Sequence, residues 1–293
     1  MAKQPRVLSG QVAAITGGAR GIGRETARAL AAEGMRVAIG DLDLPTTQAT
    51  AAELGPNVTG YTLNVCDRDS FTAFLDAVEA DLGPIDVLIN NAGIMQLGPF
   101  LQEDDATAHR QVDINVHGVL YGMKLILPRF VARGHGHLVN IASSAGKAGF
   151  PGGATYCGTK HFVVGVSEAV RGELRGTPVQ VSVVMPGVVN TELATGLLEA
   201  RGIRNVDPQD VSQAIVETLQ VPRFDVYVPR SLGPLSASLS ILPRRGREAI
   251  VRALKADQVL MSADPVARRA YELRATQSEP RQDGGAVSEQ PGD

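Results

Sequence analysis

From Gln11 to Val228 the sequence alternates short, Val- and Ile-rich apolar runs with longer amphipathic ones, and this alternation restricts the fold more than any other feature. Val12–Thr16, Val37–Gly40, Asp86–Ile89, His137–Ile141, Val179–Val184 and Asp225–Val228 have strand length and β-branched content. Ile22–Glu33, Ser70–Leu82, Ala106–Val131, Tyr156–Leu174 and Pro208–Leu219 carry apolar residues at helical spacing. Strand–helix alternation of this kind predicts an α/β fold, a Rossmann-type doubly wound parallel sheet. Strands with so little polar content suit a sheet covered on both faces. Gly34 stands where a helix C-terminal glycine belongs, and Asp207-Pro208 and Asp264-Pro265 read as helix starts.

These limits give one catalytic domain over residues 1–230, a helical C-terminal extension over 231–275, and a disordered tail over 276–293. The tail expectation rests on a polar stretch without an aromatic residue. A net charge of −3 gives no electrostatic reason to expect a nucleic-acid partner. Cys66 and Cys157 are too few for a disulfide framework, and Met1 to Gly10 lacks the apolar run of a signal peptide. No apolar run approaches the ~18 residues that a membrane-spanning helix needs. A cytoplasmic setting is the expectation.

Thr16-Gly17-Gly18-Ala19-Arg20-Gly21-Ile22-Gly23 lies between the first strand and the first helix. Gly17, Gly21 and Gly23 allow a sharp turn and close backbone approach to a pyrophosphate. The helix N-terminus behind them offers unpaired N–H groups and a positive dipole end. Glycine clusters also serve structural turns, so the strand–turn–helix setting carries the reading. Asp41 ends the second strand, 18 residues after Gly23. A carboxylate there accepts hydrogen bonds from ribose hydroxyls and repels a 2′-phosphate, which favours NAD over NADP. Arg20 works in the opposite direction, because a cation in this loop can meet a 2′-phosphate.

Tyr156 and Lys160 are four residues apart and share one helix face. A neighbouring ammonium and the positive charge of an oxidised nicotinamide favour a phenolate, allowing proton exchange with an alcohol. Taken alone, such a pair is usually a solvated helix face. Five matches in order alter that reading: Thr16 to Gly23, Asn90-Asn91-Ala92-Gly93, Asn115, Ser143 with Tyr156-Cys-Gly-Thr-Lys160, and Pro186-Gly187-Val188-Val189-Asn190-Thr191. With them the chain resembles the short-chain dehydrogenase/reductase family in its single-domain form, over about Leu8 to Val228.

The resemblance implies an NAD-linked oxidoreductase that moves a hydride between the nicotinamide and an alcohol or ketone carbon. In that reading Tyr156 is the general acid/base. Lys160 lowers the tyrosine pKa and binds the nicotinamide ribose. Ser143 donates to the substrate oxygen, and Asn115 helps hold a proton-relay water. Asn91, Ala92 and Gly93 line the adenosine side, Asn91 most directly, and Asn64 and Val65 meet adenine. Ile22, Pro186 and Gly187 border the cofactor; the Val189 backbone and Thr191 meet its carboxamide and phosphates. The family also implies a homo-oligomer, a dimer or tetramer.

The five histidines have no ligand spacing, so no metal is assigned. Met95, Leu97, Phe150, Val188, Leu193, Leu197, Leu198 and Ile203 fall near the substrate end. If they line it, the substrate is apolar: steroid-like, retinoid-like or a long-chain alcohol. Alternatives are an NADP-linked carbonyl or 3-oxoacyl-thioester reductase, and a nucleotide-binding regulator without turnover. The regulator has no need of Tyr156, Lys160, Ser143 and Asn115 together. In the extension, Ser231 to Leu242 is apolar and Arg244, Arg245, Arg247, Arg252 and Lys255 follow. This pattern fits an appendage packed over the substrate cleft or a subunit contact, and secondarily a helix on a membrane surface.

Overall fold

The computed structural model describes residues 4–200 and 204–277. Ile203 and residues 278–293 of the expected tail lie outside the described residues, as do the first three residues.

Seven parallel strands form one sheet in the order β3-β2-β1-β4-β5-β6-β7. They are β1 (Val12–Thr16), β2 (Arg36–Asp41), β3 (Val58–Thr62), β4 (Val87–Asn90), β5 (His137–Ile141), β6 (Gln180–Pro186) and β7 (Asp225–Val228). Helices α1 (Gly21–Ala32), α2 (Leu44–Leu54), α3 (Arg68–Leu82), α4 (Asp105–Val112), α5 (Gly118–Arg133), α6 (Ala154–Glu173) and α7 (Pro208–Gln220) connect them. Beyond β7 lie α8 (Leu232–Ile241), α9 (Arg244–Ala253) and α10 (Pro265–Thr276).

Alternate strand residues enter two separate cores. Ala13, Ile15, Val37 and Ile39 pack against α1 and α7 residues such as Leu30 and Ile215 on one face. Val12, Ala14, Ala38 and Leu88 pack with Phe71, Leu75, Ile126 and Phe130 on the other. Each of the Val, Leu, Ile and Phe side chains contributes about 1.5–3 kcal/mol when removed from water. This double coverage is why the strands read as continuous apolar runs.

The chain runs outward from β1 to β3 in one direction and from β4 to β7 in the other. The reversal lies between β1 and β4, which pair through Ala13–Val87 to Ile15–Ile89. At such a switch point the loops after neighbouring strands diverge and leave a crevice at the carboxyl ends. The helix starts at Asp207 and Asp264 are both present: Asp207 and Asp210 form a capping box, and Asp264 accepts from the Val266 and Ala267 amides.

The structure adds two elements and divides a third. β3 and α2 give little sequence signal: β3 is an edge strand reading Val-Thr-Gly-Tyr-Thr, and α2 carries Thr46, Thr47, Gln48 and Thr50. The single helix expected over Ala106–Val131 is α4 and α5 joined by a π-helical turn, Asp113–His117.

Candidate active site

The first wall of the crevice is the turn after β1. Gly17 and Gly21 have φ of +66° and +54°, the left-handed region in which a side chain is strained. Gly23 is fixed by close approach, since a Cβ there would stand 2.2 Å from the Gly17 carbonyl oxygen. Asn91, at the end of β4, donates through Nδ2 to the carbonyls of Thr16 (2.9 Å) and Gly17 (3.0 Å). The amides of Asn91 and Ala92 both donate to Thr16 Oγ1 at 3.0 Å. Both Asn91 amide hydrogens therefore hold the turn in shape. The α1 N-terminus opens onto the crevice with no acidic residue in its first turn. Thr191 reaches the same place from the loop after β6, its methyl 3.5 Å from where a Gly21 Cβ would be.

Asp41 accepts from the Ala19 amide at 3.2 Å and the Asp43 amide at 3.4 Å. Burial raises its pKa, and these two amides oppose the rise. Arg20 Nη2 donates to Asp43 Oδ2 at 2.7 Å and to Thr46 Oγ1 at 3.0 Å. Thr46 and Arg20 hold the Asp43 carboxyl at about 2. The cation expected to favour a 2′-phosphate is thus engaged by an acid that the sequence reading overlooked. Its only signal was a second Asp two positions after Asp41.

Ser143 follows β5 and accepts from the Ala145 amide at 3.1 Å, and its hydroxyl is near enough to Tyr156 on α6 to favour the phenolate. One helical turn later, Lys160 Nζ donates to the Ile141 carbonyl at 3.0 Å and lies 5.7 Å from the centre of the Tyr156 ring. Asn115, fully buried in the π-helical turn, accepts from the Ile94 amide at 2.9 Å. It donates to the Ile94 carbonyl at 2.9 Å and to Thr159 Oγ1 at 3.1 Å. Gly93 makes this convergence possible: a Cβ there would be 3.1 Å from Asn115 Oδ1 and 3.5 Å from Lys160 Nζ.

Burial lowers the Lys160 pKa to about 8. For Tyr156 the sequence expectation was a phenolate favoured by the Lys160 ammonium together with the charge of an oxidised nicotinamide. In the structure burial dominates and raises the phenol pKa, the Ser143 hydroxyl opposing and Tyr271 and Cys157 adding to the rise. A phenolate in this place therefore needs a further positive charge beside it.

Gly17, Arg20, Gly21, Asp41, Asn91, Gly93, Ser143, Tyr156, Lys160 and Thr191 border one cleft of about 1060 Å³, which also takes in Ile22, Asn64, Val65, Pro186, Gly187 and Val189, while Asn115 lies buried behind its wall. That exceeds the ~300–1,000 Å³ common for a single small ligand and suits a dinucleotide with a substrate. The residues fit such a group. The turn is shaped for phosphates, and the buried Lys160 ammonium has three donors but only the Ile141 carbonyl as hydrogen-bond partner among the described residues.

At the other end Met95, Tyr156 and Cys157 pack with Val259 and Leu260 of the extension, flanked by Leu97, Phe150, Val188, Leu193 and Leu197. Leu198 is exposed. From α8, Leu232, Leu235 and Leu239 border the cleft, as does Tyr271 of α10. Val259, Leu260 and Tyr271 were not identified as site residues from the sequence, because nothing local marks which face of an appended helix turns inward.

Residues 11–202 match the family described as short chain dehydrogenase. Sorbitol dehydrogenase from Cereibacter sphaeroides is 38% identical over 63% of this chain and 73% of its own. "Probable oxidoreductase EphD" of Mycobacterium tuberculosis is 34% identical over 92% of this chain. The chain spans 43% of EphD, and 18% of glycine betaine reductase ATRR from Emericella nidulans, which it matches at 34% identity over 73% of its own length. A short chain dehydrogenase/reductase from Burkholderia phymatum, solved in complex with NAD, superposes with a TM-score of 0.73 at 25% identity. That likeness covers 79% of this chain and 93% of the other.

Proposed function

The chain belongs to the short chain dehydrogenase family, and on that premise we propose that it oxidises an alcohol, or reduces the matching ketone, with NAD(H) as the hydride partner. The observation that carries this reading is the meeting of Tyr156, Ser143 and Lys160, with Asn115 buried behind them, in a cleft that also takes in Gly17 and Gly21 of the turn after β1.

A bound nicotinamide supplies the hydride acceptor. The chain's own residues manage the proton and the charge. Ser143 donates to the substrate oxygen and fixes it beside Tyr156. Tyr156 takes the hydroxyl proton as the carbon–hydrogen pair leaves, so one proton and one hydride are removed and a carbonyl remains. The raised phenol pKa keeps the proton on Tyr156 until positive charge stands next to the ring. Lys160 supplies part of that charge, and its free donors suit the ribose hydroxyls. Asn115 is a positioning residue: it fixes Ile94 and Thr159, one residue from Gly93 and Lys160 respectively.

Asp41 at the end of β2 and the engagement of Arg20 by Asp43 favour NAD over NADP. The substrate body is apolar, given the side chains around Met95 and Leu260. The name of the sorbitol dehydrogenase relative adds a polar reacting end. The extension covers the substrate side of the cleft. The test is the formation of reduced cofactor from a panel of alcohols and polyols, with NAD and NADP in parallel. Turnover with NAD is the expected result. Absence of turnover with either cofactor, across a panel of both kinds of alcohol and the matching ketones, counts against the reading.

A further inference from the structure

Helix α10 reaches the cleft through two side chains three residues apart. Arg268 is only 2% exposed. Its guanidinium donates to the carbonyls of Met95 (2.7 Å), Leu193 (2.9 Å) and Thr195 (3.1 Å), and its Nε to Glu272 (3.0 Å). One buried cation thereby joins α10 to both loops that border the substrate end. The same guanidinium lies 5.0 Å from the centre of the Tyr271 ring. Tyr271 Oη accepts from the Met95 amide at 2.7 Å. Its oxygen is therefore held by one amide and its ring by the guanidinium, while its own hydrogen has no acceptor in the hydrogen bonds of the described residues. Burial raises its pKa to about 12, so it remains a donor at neutral pH. It borders the same cleft as Ser143 and Tyr156. A buried hydroxyl of this kind costs free energy until an acceptor meets it.

We infer that Tyr271 is a specificity-determining residue that donates a hydrogen bond to a second oxygen of the substrate, next to the carbon served by Tyr156, with Arg268 as the positioning residue that holds it there. This rests on the dehydrogenase reading above. The substrate class is an amphipathic alcohol with a neighbouring oxygen, such as a vicinal diol, whose carbon chain lies along Met95, Leu193, Val259 and Leu260. A site that hydrogen-bonds a substrate oxygen rejects the analogue lacking it, because its own polar group is then left unpaired.

The experiment uses the full-length protein, its Tyr271→Phe variant and its Arg268→Lys variant, each with NAD and with 1,2-octanediol or 2-octanol. The quantity read is the ratio of kcat/KM for the diol to that for the mono-alcohol. The parent should favour the diol, and Tyr271→Phe should reduce the ratio about tenfold, the worth of one hydrogen bond, through KM. Arg268→Lys, which keeps the charge but loses the fork geometry, should reduce it in the same direction. A ratio unaltered in both variants overturns the inference, including a proportionate loss on both substrates from general damage. If the parent oxidises neither alcohol, the dehydrogenase reading fails on this pair. The inference is then read from the affinities of the two alcohols for the NADH-loaded protein, by fluorescence of the reduced cofactor. Equal affinities for the parent overturn it; a diol preference that Tyr271→Phe removes upholds it.

Discussion

The Lys160 ammonium donates to the Ile141 carbonyl at 3.0 Å while only 5% of the residue is exposed. That placement has a consequence for stability as well as for catalysis. Burial lowers its pKa from 10.5 to about 8, so above pH 8 the unfolded chain binds more protons at this site than the folded one. Stability from this group therefore rises with pH from about 8 to 10.5. Tyr156, whose pKa is raised, acts in the opposite sense once the unfolded chain begins to lose its phenol proton, near 10. Lys160→Met should abolish turnover yet raise stability at pH 7 by on the order of 1–3 kcal/mol. The urea midpoints of parent and variant should converge between pH 8 and 10. Equal stability at both pH values would show that Lys160 is not penalised by burial.

Gly93 should be sensitive to an added side chain. Its Cβ would be 3.1 Å from Asn115 Oδ1, so alanine must push that oxygen by a few tenths of an ångström, and 3.5 Å from Lys160 Nζ, an ordinary contact that occupies the space beside the ammonium. Gly93→Ala should lower kcat at least tenfold and cost about 1–3 kcal/mol of stability. Steady-state kinetics with a thermal unfolding scan checks both. Parent-like kcat would separate these groups from the reaction.

Cofactor choice should depend on Asp41. Asp41→Ser removes a ribose acceptor and a charge that repels a 2′-phosphate, so NAD should bind more weakly and NADP more tightly. The ratio of kcat/KM for the two cofactors should move toward NADP by about ten- to a hundredfold, one or two lost hydrogen bonds with charge. A parent that already prefers NADP would mean that Arg20 leaves Asp43 when cofactor binds.

The turn after β1 was among the most legible features of the sequence, for a physical reason. A turn requiring φ above zero admits few residues, so Gly17 and Gly21 are marked by type and spacing alone. The sheet was legible because strands buried on both faces have little freedom in composition. Edge strand β3 and helix α2 lack that constraint and were missed. Asn91 was recognised in its motif, but not the direction of its amide, which serves Thr16 and Gly17. The burial of Tyr156, which raises its pKa, was not legible either, since spacing reveals a neighbouring charge and not the depth of burial. Tyr271 and Arg268 act through partners more than seventy residues distant along the chain, which no local pattern can show.

The extension should prove inseparable from the substrate end. Removing residues 231–293 exposes the apolar side chains now covered by Val259 and Leu260, and should raise KM or alter the oligomeric state. Removing 278–293 should do neither. Cosedimentation of the full-length chain with anionic vesicles, lost on the longer truncation, would instead make Ile241, Leu242 and the arginines of α9 a membrane contact.

The central claim is that Tyr156 exchanges the proton with the substrate. Tyr156→Phe removes only the hydroxyl, so the most direct measurement is single-turnover hydride transfer in this variant, with cofactor affinity determined separately. The account predicts a fall in rate of about 10²–10⁴-fold with cofactor affinity within a few fold of the parent. Hydride transfer at the parent rate would contradict it.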